Sequence, residues 1–210
     1  MYEGARIFRD RIVGKEGVSA FDSLLSQRAS RILKYSEPLS KDVFYLYKAG
    51  GGQQVLPGMP VLGRIGLQDL ATLLNQSLQL FEREGFKEMK LHIIEELLEL
   101  TAREERVLSR RGGNLVLCGR SGVGRKSATQ LVAHMLKLEF HSPNLGRHYG
   151  TKEFRRDLKQ VLSAAGIEGK ECILYLEDHH FEDKEFLELI NSLIASGEVP
   201  DLFTLEELKP

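Results

Sequence analysis

The spacing of apolar side chains changes along the chain. Over residues 1–36 they recur at helix-like intervals, with a break between Gly14 and Gly17, so this segment is predicted to be helical. Residues 37–66 contain three prolines and six glycines, and they predict a loop-like linker in which VFYLY (43–47) is a short strand candidate. We expect a separate helical piece (1–36), this linker (37–66) and one larger part (67–210).

Helical spacing returns at Leu67. Steps of three and four residues predict a first helix with one apolar stripe, formed by Leu67, Leu70, Leu74, Leu78 and Phe81. A second helix is predicted over about 90–108, with one face formed by Leu91, Ile94, Leu98 and Thr101. Gly112 and Gly113 are expected to stop this helix.

Strand and helix patterns alternate after Gly113. A buried strand is predicted at 114–118, and further strands at 138–142 and 172–176. Helices are predicted after the glycine-rich segment 119–124, over about 152–165 and over about 184–196. Their inward residues would be Ala128, Leu131, Val132, Met135, Phe154, Leu158, Val161, Leu162, Phe186, Leu189, Ile190 and Leu193. This order predicts an α/β fold with at least three parallel strands and flanking helices.

Thr204 and Glu207 form the pattern of a capping box, which opens a helix. The sequence given stops three residues later, at Pro210. Three strands are also few for a doubly wound sheet. We therefore expect an incomplete sheet, in a fragment of a longer chain.

The composition is that of an ordinary globular protein. Charged residues make up 28% of the 210 residues and the net charge is −1, so no basic excess points to nucleic acid as a partner. No apolar run is long enough to span a bilayer. Cys118 and Cys172 lie in strand-like runs and are predicted to be small buried side chains rather than a disulfide or metal site. His179 and His180 are adjacent and predict a loop pair rather than zinc ligands.

The segment GRSGVGRKS (119–127) carries the candidate chemistry. It resembles the phosphate-loop pattern G-x-x-x-x-G-K-[ST], because its first and last glycines fit and because it lies between a predicted strand and a predicted helix. Its glycines are expected to allow positive φ and a close approach to phosphate, while the loop N–H groups bind the anion. A glycine-rich turn without a ligand is the alternative. The predicted nucleotide contacts are Gly119, Arg120, Ser121, Gly122, Val123, Gly124, Arg125, Lys126 and Ser127.

Two residues of this loop depart from the pattern. Arg125 stands in place of the lysine; it keeps the positive charge, and its planar fork can contact two phosphate oxygens. Lys126 stands in place of the serine or threonine whose hydroxyl ligates Mg²⁺, which a cation cannot do. Ser127 offers a hydroxyl one position later, but on a helix it points about 100° away.

A second candidate motif ends the predicted strand at 172–176. CILYLED is an apolar run that ends in Glu177 and Asp178, like the Walker B motif in which one acid holds Mg²⁺ through water and the other activates the attacking water. Two acids at a strand end are also common as a solvated rim. The usual order is Asp-Glu, so the reversed order here predicts impaired catalysis.

Together these segments resemble the dynein heavy chains, specifically the fourth AAA+ module of their motor ring. GNLVLCGRSGVGRKS (113–127) is similar to that module's glycine loop, where arginine often replaces the lysine. YGTKEFRRDLKQVLSAAGIEGK (149–170) is similar to its characteristic helix, and FLELINSLIASGEVPDLFTLEEL (186–208) to a segment built around S-G-E-V-P-x-L-F. GRSGVGR and AGIEG are most similar to the cytoplasmic dynein 2 branch, the dyneins of intraflagellar transport. ARIFRDRIV (5–13) resembles the lid helix of the preceding module.

The resemblance implies one module of an ATP-driven, minus-end-directed microtubule motor of the cytoplasm, cytoskeleton and cilium. It implies ATP or ADP as cofactor, with Mg²⁺ as a candidate metal held by Glu177, and neighbouring AAA+ modules of the same heavy chain as partners. Dynein accessory chains and the microtubule would be contacted through other parts of that chain. We expect this site to bind ATP and to hydrolyse it weakly or not at all. A structural ring segment with an empty pocket and a free-standing P-loop kinase or transferase are the alternatives.

Overall fold

The structure, a computed structural model, describes residues 5, 7–34, 43–45, 63–86, 88–89, 91–110, 112–146, 148–181, 183–204 and 207. Its α-helices are α1 (Lys15–Leu33), α2 (Leu67–Arg83), α3 (Glu95–Leu108), α4 (Arg125–Leu136), α5 (Thr151–Gly166) and α6 (Lys184–Ser196). Its strands are β1 (Val43–Tyr45), β2 (Gly63–Ile65), β3 (Glu139–His141) and β4 (Cys172–Leu174), and short 3₁₀ helices span Arg9–Arg11 and Asp178–Phe181. None of the described helices is long and apolar enough to cross a bilayer.

The chain forms two compact units, one from residues 1–76 and 93–106 and the other from 77–92 and 107–210. The first unit begins with the predicted helical segment, and the predicted break is at Gly14, whose φ of 96° precedes α1. Gly17 lies inside that helix. The division of the sequence at 1–36, 37–66 and 67–210 stays a prediction.

The linker contains the predicted strand, since β1 covers the first three residues of VFYLY. Residues 46–47 lie outside the described part of the chain. The partner strand β2 was not predicted, because its sequence, GRI, is too short and too polar for a strand pattern. The two strands pair antiparallel, with Val43 opposite Ile65.

The first predicted helix is confirmed as α2, in which Leu70, Leu74 and Phe81 are buried. The second, α3, starts at Glu95, later than predicted. Ile94 is 56% exposed and precedes the helix, so its predicted place on the inward face was wrong. The carbonyl of Ile94 accepts the N–H groups of Leu97 and Leu98, which makes it a residue of the helix start. Leu98 and Thr101, also predicted on this face, are confirmed as buried, and Leu97 and Ala102 are buried beside them.

The second unit is the predicted α/β part, a partial AAA+ fold with a small parallel sheet. Strands β3 and β4 pair in parallel, with Glu139 opposite Cys172 and His141 opposite Leu174, and α5 lies between them in sequence. This pairing confirms two of the three predicted strands. The crossover through a helix is what a parallel pair requires.

The predicted buried strand at 114–118 was wrong. No strand is formed there, and exposed and half-buried side chains alternate along the segment, with Val116 86% exposed. A strand is defined by its hydrogen-bonded neighbour, and within the described residues none pairs with this segment. The exposed Cys118 also contradicts the prediction that both cysteines are buried, while Cys172 is half-buried; both are free thiols.

The core of the second unit joins α5, α6 and the segment after α6. Its central contact is the stacking of Phe154 on Phe186, with ring centroids 4.3 Å apart and planes inclined by 8°. The buried members of this cluster are Phe154, Leu158, Phe186, Leu189, Ile190 and Leu202. Leu174 and Leu176 pack against the cluster from β4 and the residues after it, so the core supports the end of that strand. The predicted inward residues of both helices are confirmed.

The helix-terminal signals have clear structural counterparts. Helix α6 begins at the predicted residue, where the Asp183 carboxylate accepts the N–H of Glu185, and it ends at Gly197 with a φ of 75°. The predicted capping box is confirmed as well, since the Thr204 N–H donates to the Glu207 carboxylate at 2.9 Å. The Lys159 ammonium and the Thr204 N–H lower the pKa of Glu207 to about 2.

Candidate functional site

Two of the three glycines in the glycine loop have the backbone conformation that anion binding requires. Gly122 and Gly124 have φ values of 83° and 84°, a region that other residues rarely adopt. Gly124 is the N-cap of α4, and its carbonyl accepts the N–H of Ala128 at 2.8 Å. The unpaired N–H groups of the first helical turn therefore face the loop, at the positive end of the helix dipole.

Gly119 does not share this conformation. It is absent from the described glycines with positive φ, so the prediction that it would need positive φ was wrong. A Cβ built on Gly119 would lie 3.7 Å from Arg125 Cδ and from Val123 Cγ2, which is ordinary van der Waals distance. The need for glycine in this loop thus rests on Gly122 and Gly124.

The Arg125 side chain folds back across the loop. Its Nη1 donates to the carbonyl of Leu117 at 2.8 Å, and its Nη2 donates to the carbonyl of Arg120 at 3.4 Å. The guanidinium therefore connects the segment before the loop to the start of α4. Because arginine has five N–H donors, these two bonds leave others for a phosphate oxygen.

Lys126 connects the loop to the end of the parallel sheet. Its ammonium donates to Glu177 Oε2 at 3.0 Å and lies 5.7 Å from the ring centroid of Tyr175, within cation–π range. The two side chains remain 40% and 32% exposed. An ion pair with this exposure contributes about 0–1 kcal/mol, so the ammonium can exchange partners at little cost.

His180 forms a hydrogen bond with the backbone of Glu177. The Glu177 backbone N–H donates to His180 Nδ1 at 2.8 Å, and the histidine is 1% exposed. The two histidines, predicted as a loop pair, lie in the short 3₁₀ helix that starts at Asp178. Asp178 itself is exposed. The two acids are therefore not equivalent, since Glu177 faces the loop through Lys126 whereas Asp178 begins the next turn.

Burial, with a further effect from His179, lowers the pKa of His180 below its ordinary value of 6.5; Glu177 opposes the shift. The imidazole is therefore neutral in the folded chain at a pH where the unfolded chain binds a proton. Stability from the neutral ring is complete above pH 6.5 and falls as the pH is lowered from 6.5 toward the folded pKa. Protonation of Nδ1 would also remove the acceptor for the Glu177 N–H.

We expect the thermal unfolding midpoint of the chain to fall between pH 7.5 and pH 5.5, and His180→Asn to reduce this fall, because asparagine retains an acceptor and does not titrate. The exposed neighbour provides the control, since His179→Asn should keep most of the pH dependence. Equal pH profiles for the parent chain and His180→Asn would contradict the assignment.

Comparison with known proteins identifies the family. The sequence profile described as "P-loop containing dynein motor region D4" matches residues 89–210, which is more than half of the chain. The chain belongs to the dynein motor family. This segment is accordingly a dynein heavy chain AAA+ module, as the glycine loop and the parallel β3–β4 pair indicate.

Individual dyneins match over the whole chain. The chain is 41% identical over 216 residues to cytoplasmic dynein 2 heavy chain 1 of Tripneustes gratilla and 42% identical over 224 residues to that of Mus musculus. It is 29% identical over 216 residues to dynein axonemal heavy chain 6 of Homo sapiens. These alignments cover 99–100% of the chain and 5% of each dynein, so the chain spans about one twentieth of the length of these relatives.

The residues of this dynein segment do not fit the Mg²⁺ ion that a P-loop fold implies. In such folds a loop hydroxyl and a strand-end acid hold the metal between them. Here the loop position carries Lys126, and its ammonium is bonded to Glu177, the acid that would hold the metal. Ser127 follows on α4, one position beyond the usual ligand.

Two groups of side chains in the described part of the chain have metal-ligand atoms within 4.8 Å of one another. One is Glu177, His179 and His180, in which Nδ1 of His180 already accepts an N–H and the carboxylate of Glu177 already accepts Lys126. The other is Glu139, His141 and Cys172, on the paired strands β3 and β4. Burial, with a further effect from Glu139, raises the pKa of the Cys172 thiol, which opposes its use as a thiolate ligand.

Proposed function

We propose that this segment is a nucleotide-binding dynein module that holds ATP or ADP in a regulatory role and hydrolyses ATP weakly or not at all. The observation that carries the proposal is that a loop with positive φ at Gly122 and Gly124 opens α4 and is joined by Lys126 to Glu177, an acid that follows β4. An anion at this point would meet the N–H groups of the helix start and the guanidinium of Arg125. These groups would provide the main contacts for binding.

ATP hydrolysis requires a correctly placed carboxylate and a bound metal, and the residues of this site are unsuited to both roles. The attacking water needs a carboxylate at the right distance, and Asp178 is one methylene shorter than the glutamate usual at that position; a misplacement of roughly 1 Å can cost about 100-fold in rate. The charge that develops on the phosphates needs a bound metal, but Lys126 stands in place of the metal-binding hydroxyl, and losing such stabilisation can cost about another 100-fold.

The proposal is tested in the complete heavy chain with the first and third modules disabled by mutation. We expect nucleotide to occupy the pocket at Gly119–Ser127, seen as density in a structure of the motor, with a turnover below roughly 1 s⁻¹, the lower end of ordinary enzymatic rates. Asp178→Asn should leave this residual rate unchanged. Faster turnover that disappears in Asp178→Asn would contradict the weak-hydrolysis part.

At the level of the whole protein, we propose an ATP-driven, minus-end-directed microtubule motor that works in the cytoplasm, the cytoskeleton and the cilium. The names of the relatives, which include cytoplasmic dynein 2, support this assignment. The immediate partners of this segment would be neighbouring AAA+ modules of the same chain. Accessory chains and the microtubule would be bound elsewhere in the chain.

A structural ring segment with an empty pocket is the second candidate. It is favoured by the two hydrogen bonds from Arg125 to loop carbonyls, because they hold the loop in shape without a ligand. Nucleotide density decides between the two candidates. Membership of the dynein family removes the support for a free-standing kinase or transferase.

A further inference from the structure

We propose that the lysine ammonium of Lys126 takes the place of Mg²⁺, so that the pocket binds nucleotide without a metal. This inference rests on the proposed function, since it concerns how the same loop binds phosphate. Its starting point is the position of one atom: Nζ of Lys126, the second residue of α4, lies 3.0 Å from Glu177 Oε2, so this side chain joins the end of the glycine loop to Glu177. In P-loop proteins the metal is held between these same two elements.

Two weak contacts place the ammonium at this point. Glu177 accepts its hydrogen bond, and the ring of Tyr175 lies 5.7 Å away from it. Glu177 is itself fixed by the bond from its N–H to the buried His180. Lys126 lies in the first turn of α4, so its ammonium stays within one side-chain length of the loop.

The positive charge of this loop equals that of a standard phosphate loop together with its metal ion. Arg120, Arg125 and Lys126 supply three positive charges within GRSGVGRKS. A standard phosphate loop supplies one lysine charge, and its Mg²⁺ supplies two more. The positive total is the same, and the acid at the strand end is present in both arrangements.

An anionic ligand would relieve repulsion that exists in its absence. Lys126 is a residue of the first turn of α4, where the helix dipole is also positive. A phosphate bridging the N–H groups and the ammonium would interact favourably with both. The partly exposed ion pair with Glu177 contributes little, so Lys126 can share its three donors between Glu177 and a phosphate oxygen.

Binding of a divalent cation at this position would be electrostatically unfavourable. It would have to approach the ammonium closely and to take Glu177 from it, and like charges at a few ångströms repel. We therefore expect added Mg²⁺ to strengthen binding little or not at all. Replacing Lys126 by threonine would remove the charge and restore the hydroxyl ligand, so the metal requirement should return.

The test measures binding of radiolabelled ADP to the complete heavy chain, in excess Mg²⁺ and in excess EDTA. Subtracting the signal of the Gly124→Val form in each condition isolates this pocket from the other nucleotide sites. We expect the affinity of this pocket in EDTA to stay within about 3-fold of its value in Mg²⁺. In Lys126→Thr we expect EDTA to weaken binding about 10-fold or more, as for the loss of a charge-assisted hydrogen bond.

Two further variants check that the ammonium is responsible. Lys126→Met keeps the length of the side chain and removes its charge, so binding in EDTA should fall about 10-fold. Lys152→Met, at an exposed lysine near the start of α5, should bind like the parent chain. Unchanged binding by Lys126→Met in EDTA would overturn the inference.

The remaining outcomes separate this inference from the proposed function. If the parent chain binds ADP in Mg²⁺ but loses it in EDTA, the inference that Lys126 replaces the metal is wrong, whereas the proposed nucleotide site is supported. If the parent chain and Gly124→Val give the same signal in both conditions, no nucleotide is bound here and both proposals are wrong.

Discussion

Gly124→Val is expected to reduce nucleotide affinity at this pocket about 100-fold. Gly124 has a φ of 84°, and valine is strained there because its branched Cβ clashes with its own backbone. The cost of holding such a residue in place is about 1–3 kcal/mol. A Cβ at this position would also lie 3.1 Å from Leu91 Cδ1, so the neighbouring side chain must move. Either the loop is strained or it leaves the anion-binding conformation.

The affinity is measured by titrating the complete heavy chain with labelled ADP while the other nucleotide sites are disabled. Gly169→Val is the matched control, because Gly169 has a φ of 67°, no atom near its would-be Cβ and a place in the turn between α5 and β4. It introduces similar backbone strain away from the loop. Equal losses of affinity in both variants would show that general destabilisation, and not loop geometry, is responsible.

Phe154→Ala is expected to lower the free energy of unfolding by about 3–5 kcal/mol. The ring is fully buried and stacked on Phe186, so its removal leaves a cavity and ends an aromatic contact. The effect should extend to the site, because Leu174 and Leu176 pack against the same cluster just before Glu177. Urea unfolding of the chain, followed by circular dichroism, measures the change.

Leu187→Ala is the control for this substitution. Leu187 lies beside Phe186 on α6, but its side chain is 48% exposed, so little apolar contact is lost. We expect a change of less than about 0.5 kcal/mol. A similar small change for Phe154→Ala would mean that the stacked pair does not form the core of this unit.

Helices α5 and α6 were predictable because each repeats apolar residues with the helical period and ends at a glycine. Helix α6 was predicted at about 184–196 and spans Lys184–Ser196, where a glycine follows. The start of α3 was less predictable, because Leu91 and Ile94 continue its apolar spacing although the backbone there is not helical. Spacing alone shows where a helix is possible and not where its first hydrogen bond forms.

The prediction of a strand at 114–118 was wrong for a different reason. An apolar run indicates that a segment can be buried, but it carries no information about the strand beside it. The glycine loop was located correctly, and Gly119 was misjudged because sequence does not distinguish a glycine that needs positive φ from one that does not.

The pairing of Lys126 with Glu177 was also beyond the sequence, although each residue was recognised as a departure from its motif. They are 51 residues apart, and their contact depends on the tertiary fold, in which β4 pairs with β3, the strand that follows α4. No sequence pattern indicated the hydrogen bond from the Glu177 N–H to His180, since a histidine pair after two acids is typical of a surface turn.

The exposure of Cys118 gives the chain a natural attachment point for a reporter. Its thiol lies one residue before Gly119, whereas Cys172 is half-buried and its pKa is raised by burial, which slows its reaction with maleimides and disulfides. A small fluorophore would therefore attach to this segment preferentially at Cys118, without any engineered cysteine. Its emission would report nucleotide binding at the loop in real time, in a chain whose loop sequence is unchanged.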